Sequence, residues 1–289
     1  MVSKASSSRA YRVVVTLFIL LSLASYAVIA VIKFDSLLIL ASICVGVSYG
    51  LISNVVAARR LYFLAAASPH SALFAASLGM AIYLILGGIP RYWSLLVGII
   101  LLNLVAYLIR VSKNRDVATS VFVSLTSSLG VITLYYLSQV AKVSEKDLMS
   151  IIIGELTSIN STYVLEAALI TLILVIAVIT TYYGLIHETV SNGISKYDVM
   201  LYVILALVTV GLIKLTGFIL EHVLILMPGA IASIISRRAK DSLVVSTISS
   251  ISATSIGLLS SVLTGLSPSG IAGVFLVGAY VLIMFIRRV

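Results

Sequence analysis

Charge is what this sequence has least of. Asp, Glu, Lys and Arg make up 10% of its 289 residues, 61% are hydrophobic, and the mean hydropathy is +1.21. A soluble domain carries about 25% charged residues, so a water-soluble protein is excluded, and no polar stretch is long enough to form a separate soluble domain. Cysteine occurs once, as Cys44 inside an apolar run, so no intrachain disulfide can form and the redox compartment is not legible. Histidine occurs three times, and the His-Glu-x-x-His pattern of a helical zinc hydrolase is missing. With no base beside Cys44 either, the chain offers no catalytic residue. The net charge of +9 does not make a nucleic-acid footprint, because the basic residues are scattered at the ends of apolar runs, as membrane topology signals are.

What is present is one apolar run after another, each near the ~20 residues needed to cross hydrocarbon. The fold expected is all-α: a polytopic transmembrane helical bundle of 9 to 10 spans, forming a single transmembrane domain over 1–289. Candidate spans are 11–32, 37–57, 62–87, 92–110, 119–141, 163–184, 198–214, 217–236, 241–264 and 270–286. The N-terminus lacks a small-residue cleavage site and its apolar run continues to Ile32, so it reads as a first span and not as a leader. Lys214 and Gly217 are the only interruption between 198 and 236, which makes that stretch either one broken helix or a tight helical hairpin.

Alternating ten spans from a cytoplasmic N-terminus puts 14 of the 19 Lys and Arg residues inside, among them Arg59, Arg60, Arg110, Arg237 and Arg238. By the positive-inside rule both ends are then cytoplasmic. The longest outer loop, 142–162, is amphipathic and carries Glu145, Asp147 and Glu155. The inner loop 185–197 is broken by Gly193 and is either a plain connector or a contact for a partner protein. Tyr92, Trp93, Tyr135 and Tyr136 lie toward span ends and suit interfacial anchoring. The small, hydroxyl-rich stretch 244–261 reads as close interhelical packing.

The stretch GFILEHVLILMPGAIASIISRR, Gly217 to Arg238, stands apart. It holds Glu221 and His222 inside apolar sequence, where a charged group costs about 2.5–3.5 kcal/mol or more. Such residues face a bundle interior or a water path and have partners. Pro228 follows, as a structural kink that removes one backbone hydrogen bond.

Several segments, in order, resemble the membrane permeases of ABC transporters that import zinc, manganese or iron. In VVAARRLYFLAAASPHSALFAASLG, Val55 to Gly79, Arg59-Arg60 match the family's basic pair and His70 its histidine. Ala66 stands where the family has Asp, and Phe74 where it often has Pro. IGELTSIN at 153–160 is similar to an outer motif, and 185–197, ending at Gly193, to the segment that couples to the ATPase. Lys214, Gly217, Leu220, Leu224, Pro228, Ala230 and Ala232 follow the family's Gly-Leu-Leu-Pro-Ala helix. Leu266 to Gly270 resembles its Pro-x-Gly before the last span, and the span 11–32 has no counterpart.

The resemblance implies a permease core over 37–287 that does no bond chemistry. It implies ABC ATPase subunits on the cytoplasmic face, met by His187, Glu188 and Gly193. It also implies a second permease copy (a homodimer), an extracellular metal-binding protein meeting an outer surface that includes Glu155, surrounding lipid, and a plasma-membrane location. No cofactor is expected, only a transported divalent ion, zinc or manganese. Because Ala66 removes the family's carboxylate, the expected pathway is His70 with Glu221 and His222 supplying what is lost. The alternatives are that one of these caps a buried polar contact, or that the chain is a structural or proton-conducting subunit of a larger membrane complex.

Overall fold

The computed structural model describes residues 4–32, 35–154, 156, 160–187 and 196–288. Ten α-helices follow in chain order: α1 (Lys4–Val31), α2 (Ser36–Ala58), α3 (Tyr62–Leu86), α4 (Pro90–Val111), α5 (Arg115–Tyr135), α6 (Glu145–Ile153), α7 (Ser161–His187), α8 (Lys196–Ile235), α9 (Ala239–Thr264) and α10 (Pro268–Arg288). A π-helical turn, Tyr136–Val140, extends α5. There is no strand among the described residues. Among the described residues nine of the helices are long and apolar enough to cross a membrane, and the chain is an all-α, multi-pass bundle.

The helix starts follow local chemistry. Asp35 caps α2 by accepting from the Leu37 N–H, and Asn114 caps α5 by accepting from Asp116 and Val117. Pro90 opens α4, where its missing N–H costs nothing. The short α6 sorts its faces, with Leu148, Ser150 and Ile151 buried and Glu145, Lys146 and Asp147 exposed.

The interval expected as two spans, 198–214 and 217–236, is one apolar stretch, Val199–Ile235, interrupted at Gly217 (φ 69°, ψ 159°). A straight helix of that length would run ~55 Å at 1.5 Å per residue, well beyond a ~30 Å hydrocarbon layer. The break is therefore a necessity of length, and glycine supplies the backbone conformation that it needs.

The helices cluster into two compact units. The first comprises Met1–Arg60, Leu156–Val175 and Val223–Val289, and the second Leu61–Glu155 and Ile176–His222. In the first, α2 and α9 run antiparallel in close contact. A β-carbon on Gly46 would lie 2.7 Å from Ile251 Cα, Asn54 Nδ2 donates to Ser242 Oγ at 2.7 Å, and Thr254 Oγ1 donates to Ser42 O at 3.0 Å. Ser246, Ser249, Ser252, Thr254 and Ser255 are fully buried, their hydroxyls bonded to carbonyls of their own turn. They serve packing. The first helix lies on α9 through Ser22 and Ser252, 2.8 Å apart, with Ile29, Leu38 and Leu258 packed beyond them. The end of α2 at Arg59-Arg60 and the start of α9 at Arg238 and Lys240 therefore share one end of this unit.

In the second unit α3 packs on α4 and α5 around Ala72, Leu73, Ala75, Ala76, Ile151, Val210 and Ile213. The end of α6 sits on the break in α8. Gly154 (φ 84°) and Gly217 both adopt positive φ, and a β-carbon on either would lie 2.6 Å from a carbonyl oxygen of the other's chain, Thr216 O or Ile153 O.

Candidate functional site

The polar cluster of the second unit is built from α3, α5 and α8. On α3, Pro69 has no N–H to give the carbonyl one turn back, that of Ala65. Ser68 repairs the gap, its hydroxyl donating to Ala65 O at 2.9 Å. A proline is thus carried in the helix interior at no loss of a buried acceptor, and the next residue is His70. Its Nδ1 is 2.6 Å from Ser127 Oγ on α5.

The other wall comes from α8, just after the Gly217 break. Phe218 and His222, one turn apart, both face His70. The three rings pack edge to face: His70–Phe218 centroids are 5.0 Å apart, His70–His222 5.1 Å at 88°, and Phe218–His222 5.4 Å. Both imidazoles are partly buried. Two imidazoles side by side offer, in their neutral form, lone pairs to a borderline metal ion such as zinc, copper or nickel, whereas carboxylate, carbonyl and water suit manganese better.

Glu221 does not join them. Adjacent helical positions point about 100° apart, and the residue that reaches His70 is His222. The Glu221 side chain is wholly buried, and neither carboxylate oxygen has a hydrogen-bond partner. Among the described residues it makes no hydrogen bond, to Lys214 or to any other group. Ala66, one turn before His70, brings no carboxylate, and no group of three or more His, Cys, Asp or Glu able to hold a metal ion exists among the described residues. Pro228 lies inside α8 and is buried, and the next N–H, of Gly229, donates to Ser53 Oγ at 2.8 Å. His187 ends α7, while Glu188, Gly193 and Glu155 lie outside the described residues.

Sequence reading missed Ser127, Phe218 and the Ser68–Pro69 pair. The last two had a signal: Phe218 precedes His222 by one helical turn, and a Ser-Pro inside an apolar run implies a compensated kink. Ser127 had none, being one of three serines in Ser124–Ser128.

An all-α bundle of membrane-crossing helices with a small polar cluster held among them has the architecture of a membrane transport subunit. The chain belongs to the ABC 3 transport family, whose sequence model matches residues 31–287, all but α1. As such it is the membrane subunit of a transporter and not an enzyme, ATP hydrolysis falling to a separate subunit. Among solved structures the fold is similar to that of PsaBC from Streptococcus pneumoniae in complex with Fab (TM-score 0.75, 18% identity, 89% of this chain and 94% of that one). It is also similar to an ABC transporter described as of the metal-chelate type, in an inward-facing conformation (TM-score 0.64, 13% identity, 96% and 99%). At these identities the likeness is one of fold. No curated protein sequence matches the chain.

Proposed function

We propose that this chain is the permease of an ATP-driven importer of divalent metal ions, and that His70 and His222 are contacts on the ion's path. The observation that carries the reading is the imidazole pair, 5.1 Å apart, held by three helices inside apolar surroundings. The resemblance of its sequence segments to metal-importing permeases, which implies zinc, manganese or iron as cargo, and the metal-chelate description of a structural relative support it. With two imidazoles and no carboxylate beside them, zinc is the better fit of the two ions expected, and manganese the poorer. Glu221 belongs to the same path in another conformation of the cycle. A buried carboxyl without a hydrogen bond is costly, and an alternating pore gives it water or the ion as a partner.

The remaining expectations follow from the same reading. The chain works as one permease domain over 1–289, with 11–32 added to a core at 37–287, in the plasma membrane and paired with a second copy. The segment with His187, Glu188 and Gly193 meets the ATPase, and an extracellular protein delivers the ion near Glu155. Both termini are cytoplasmic. Starting from the Arg59-Arg60 face, α3, α4, α5 and α7 make four crossings, and the chain must still reach Arg238, at the same end of its unit. On this reading α8 enters and leaves by one face, turning at Gly217. Its two arms, 196–216 and 218–235, are about 31 and 27 Å long, each close to a ~30 Å layer. The turn restores ten crossings.

Expression of the full-length chain with candidate ATPase partners tests the reading. We expect a stable complex whose ATP hydrolysis rises with added zinc. A chain that captures no ABC ATPase, or a complex indifferent to every divalent ion, refutes it.

A further inference from the structure

We propose that Ser127, on α5, is the positioning residue of the ion path: its hydroxyl holds the His70 ring in one orientation while letting the ring exchange tautomers as the ion comes and goes. This rests on the importer reading above.

The argument starts from the 2.6 Å contact between Ser127 Oγ and His70 Nδ1. With Nδ1 occupied by the serine, Nε2 is the ring's remaining ligating atom. An ion at Nε2 needs its lone pair, so the ring proton must then sit on Nδ1 and be donated to an oxygen. Metal-binding histidines commonly place a carboxylate, a backbone carbonyl or water at that position. A carboxylate or carbonyl only accepts, and so locks the ring in the ligating tautomer. A hydroxyl both donates and accepts and can rotate between the roles. Ser127 can therefore accept from Nδ1–H while the ion is bound; as the ion leaves, Nε2 takes a proton from water, the Nδ1 proton passes to water, the ring stays neutral, and the hydroxyl donates to the bare Nδ1. The ring need not move in either case.

Its neighbours do not share this geometry. Thr119, Thr126 and Thr133 on the same helix each donate to the carbonyl one turn back, the ordinary habit of hydroxyls in apolar helices. Ser127 instead bridges to another helix. Phe218 closes on the ring from the side of α8, so the hydroxyl and the phenyl ring together define the plane of the imidazole. A hydroxyl partner suits a transport station, which must release what it binds. It raises ligand basicity less than a carboxylate would, and it stabilises the empty ring as well as the loaded one.

The test uses the full-length chain in lipid nanodiscs, zinc ion as the probe, and variants Ser127→Ala, Ser127→Thr and His70→Ala. Zinc affinity is measured by titration and the tautomer by ¹⁵N-histidine spectroscopy. We expect His70→Ala to abolish binding, Ser127→Ala to weaken it ~10-fold or more, and Ser127→Thr to restore it. The His70 proton moves to Nδ1 on loading in the native chain, and in Ser127→Ala the empty ring shows mixed tautomers. Wild-type affinity in Ser127→Ala, or a Ser127→Thr variant as weak as the alanine, overturns the proposal and leaves the importer reading standing. Failure of the native chain to bind zinc, or indifference to His70→Ala, sinks the metal reading and this inference with it.

Discussion

His222 of α8 meets His70 of α3 edge to face, with 5.1 Å between ring centroids and 88° between planes. The neighbouring Glu221 is turned away and buried with no hydrogen bond to either oxygen. The broken helix thus offers the cluster an imidazole and withholds a carboxyl, and most consequences of the structure follow from how that helix is held.

The first consequence concerns the break itself. Replacing Gly217 or Gly154 by alanine puts a β-carbon at positive φ and against the facing backbone. The backbone conformation alone costs on the order of 1–3 kcal/mol. Each variant should unfold several degrees below the native chain in a thermal melt of detergent-solubilised protein. A melt unchanged within a degree would mean that α6 does not dock on the break.

Glu221 gives a prediction of opposite sign. Removing a buried, unsatisfied polar group by an apolar residue of similar size relieves a penalty of about 1–3 kcal/mol. Glu221→Leu should therefore raise the thermal midpoint while lowering ion transport, and Glu221→Gln should impair transport with a smaller gain. A Glu221→Leu variant that is both less stable and fully active would contradict the assignment.

The pairing of Ser68 with Pro69 is tested by a double-mutant cycle. Ser68→Ala leaves Ala65 O without a donor and should cost about 1–3 kcal/mol. In a Pro69→Ala background, where the backbone N–H returns, the same change should cost much less, so the two effects fail to add. Additive effects would show that the serine does not serve the proline.

Much of this was legible in the sequence, and the reasons for the rest are physical. Spans could be read because apolar length survives any tertiary arrangement, whereas 142–162 reads only as an amphipathic outer loop and its helix α6 does not stand out. The trouble at 198–236 was visible as well, since Lys214 and Gly217 interrupt a run too long for one crossing. The partner of His70 was harder. The second arm of α8 is apolar around its circumference, Leu220, Leu224 and Ile225 among its buried residues, so no polar stripe tells which of Glu221 and His222 faces α3. Ser127 is harder still, because a serine in an apolar helix most often bonds its own turn, and only the approach of α5 to α3 separates it from Ser124 and Ser128.

Topology can be mapped with single cysteines, since the only native one, Cys44, is buried. Cysteine at Ser112 or Ser236 should react with a membrane-impermeant reagent only from the cytoplasmic side, and at Ser138 or Ser267 only from outside. Opposite faces for Ser112 and Ser236 would remove the turn at Gly217 and the ten-crossing path.

The most direct test of the central claim is zinc uptake by cells expressing the complete transporter, comparing the native chain with His222→Leu at equal surface expression. The account predicts that uptake falls at least tenfold, as it does for His70→Ala, while the ATPase stays bound. Native uptake in His222→Leu would contradict it.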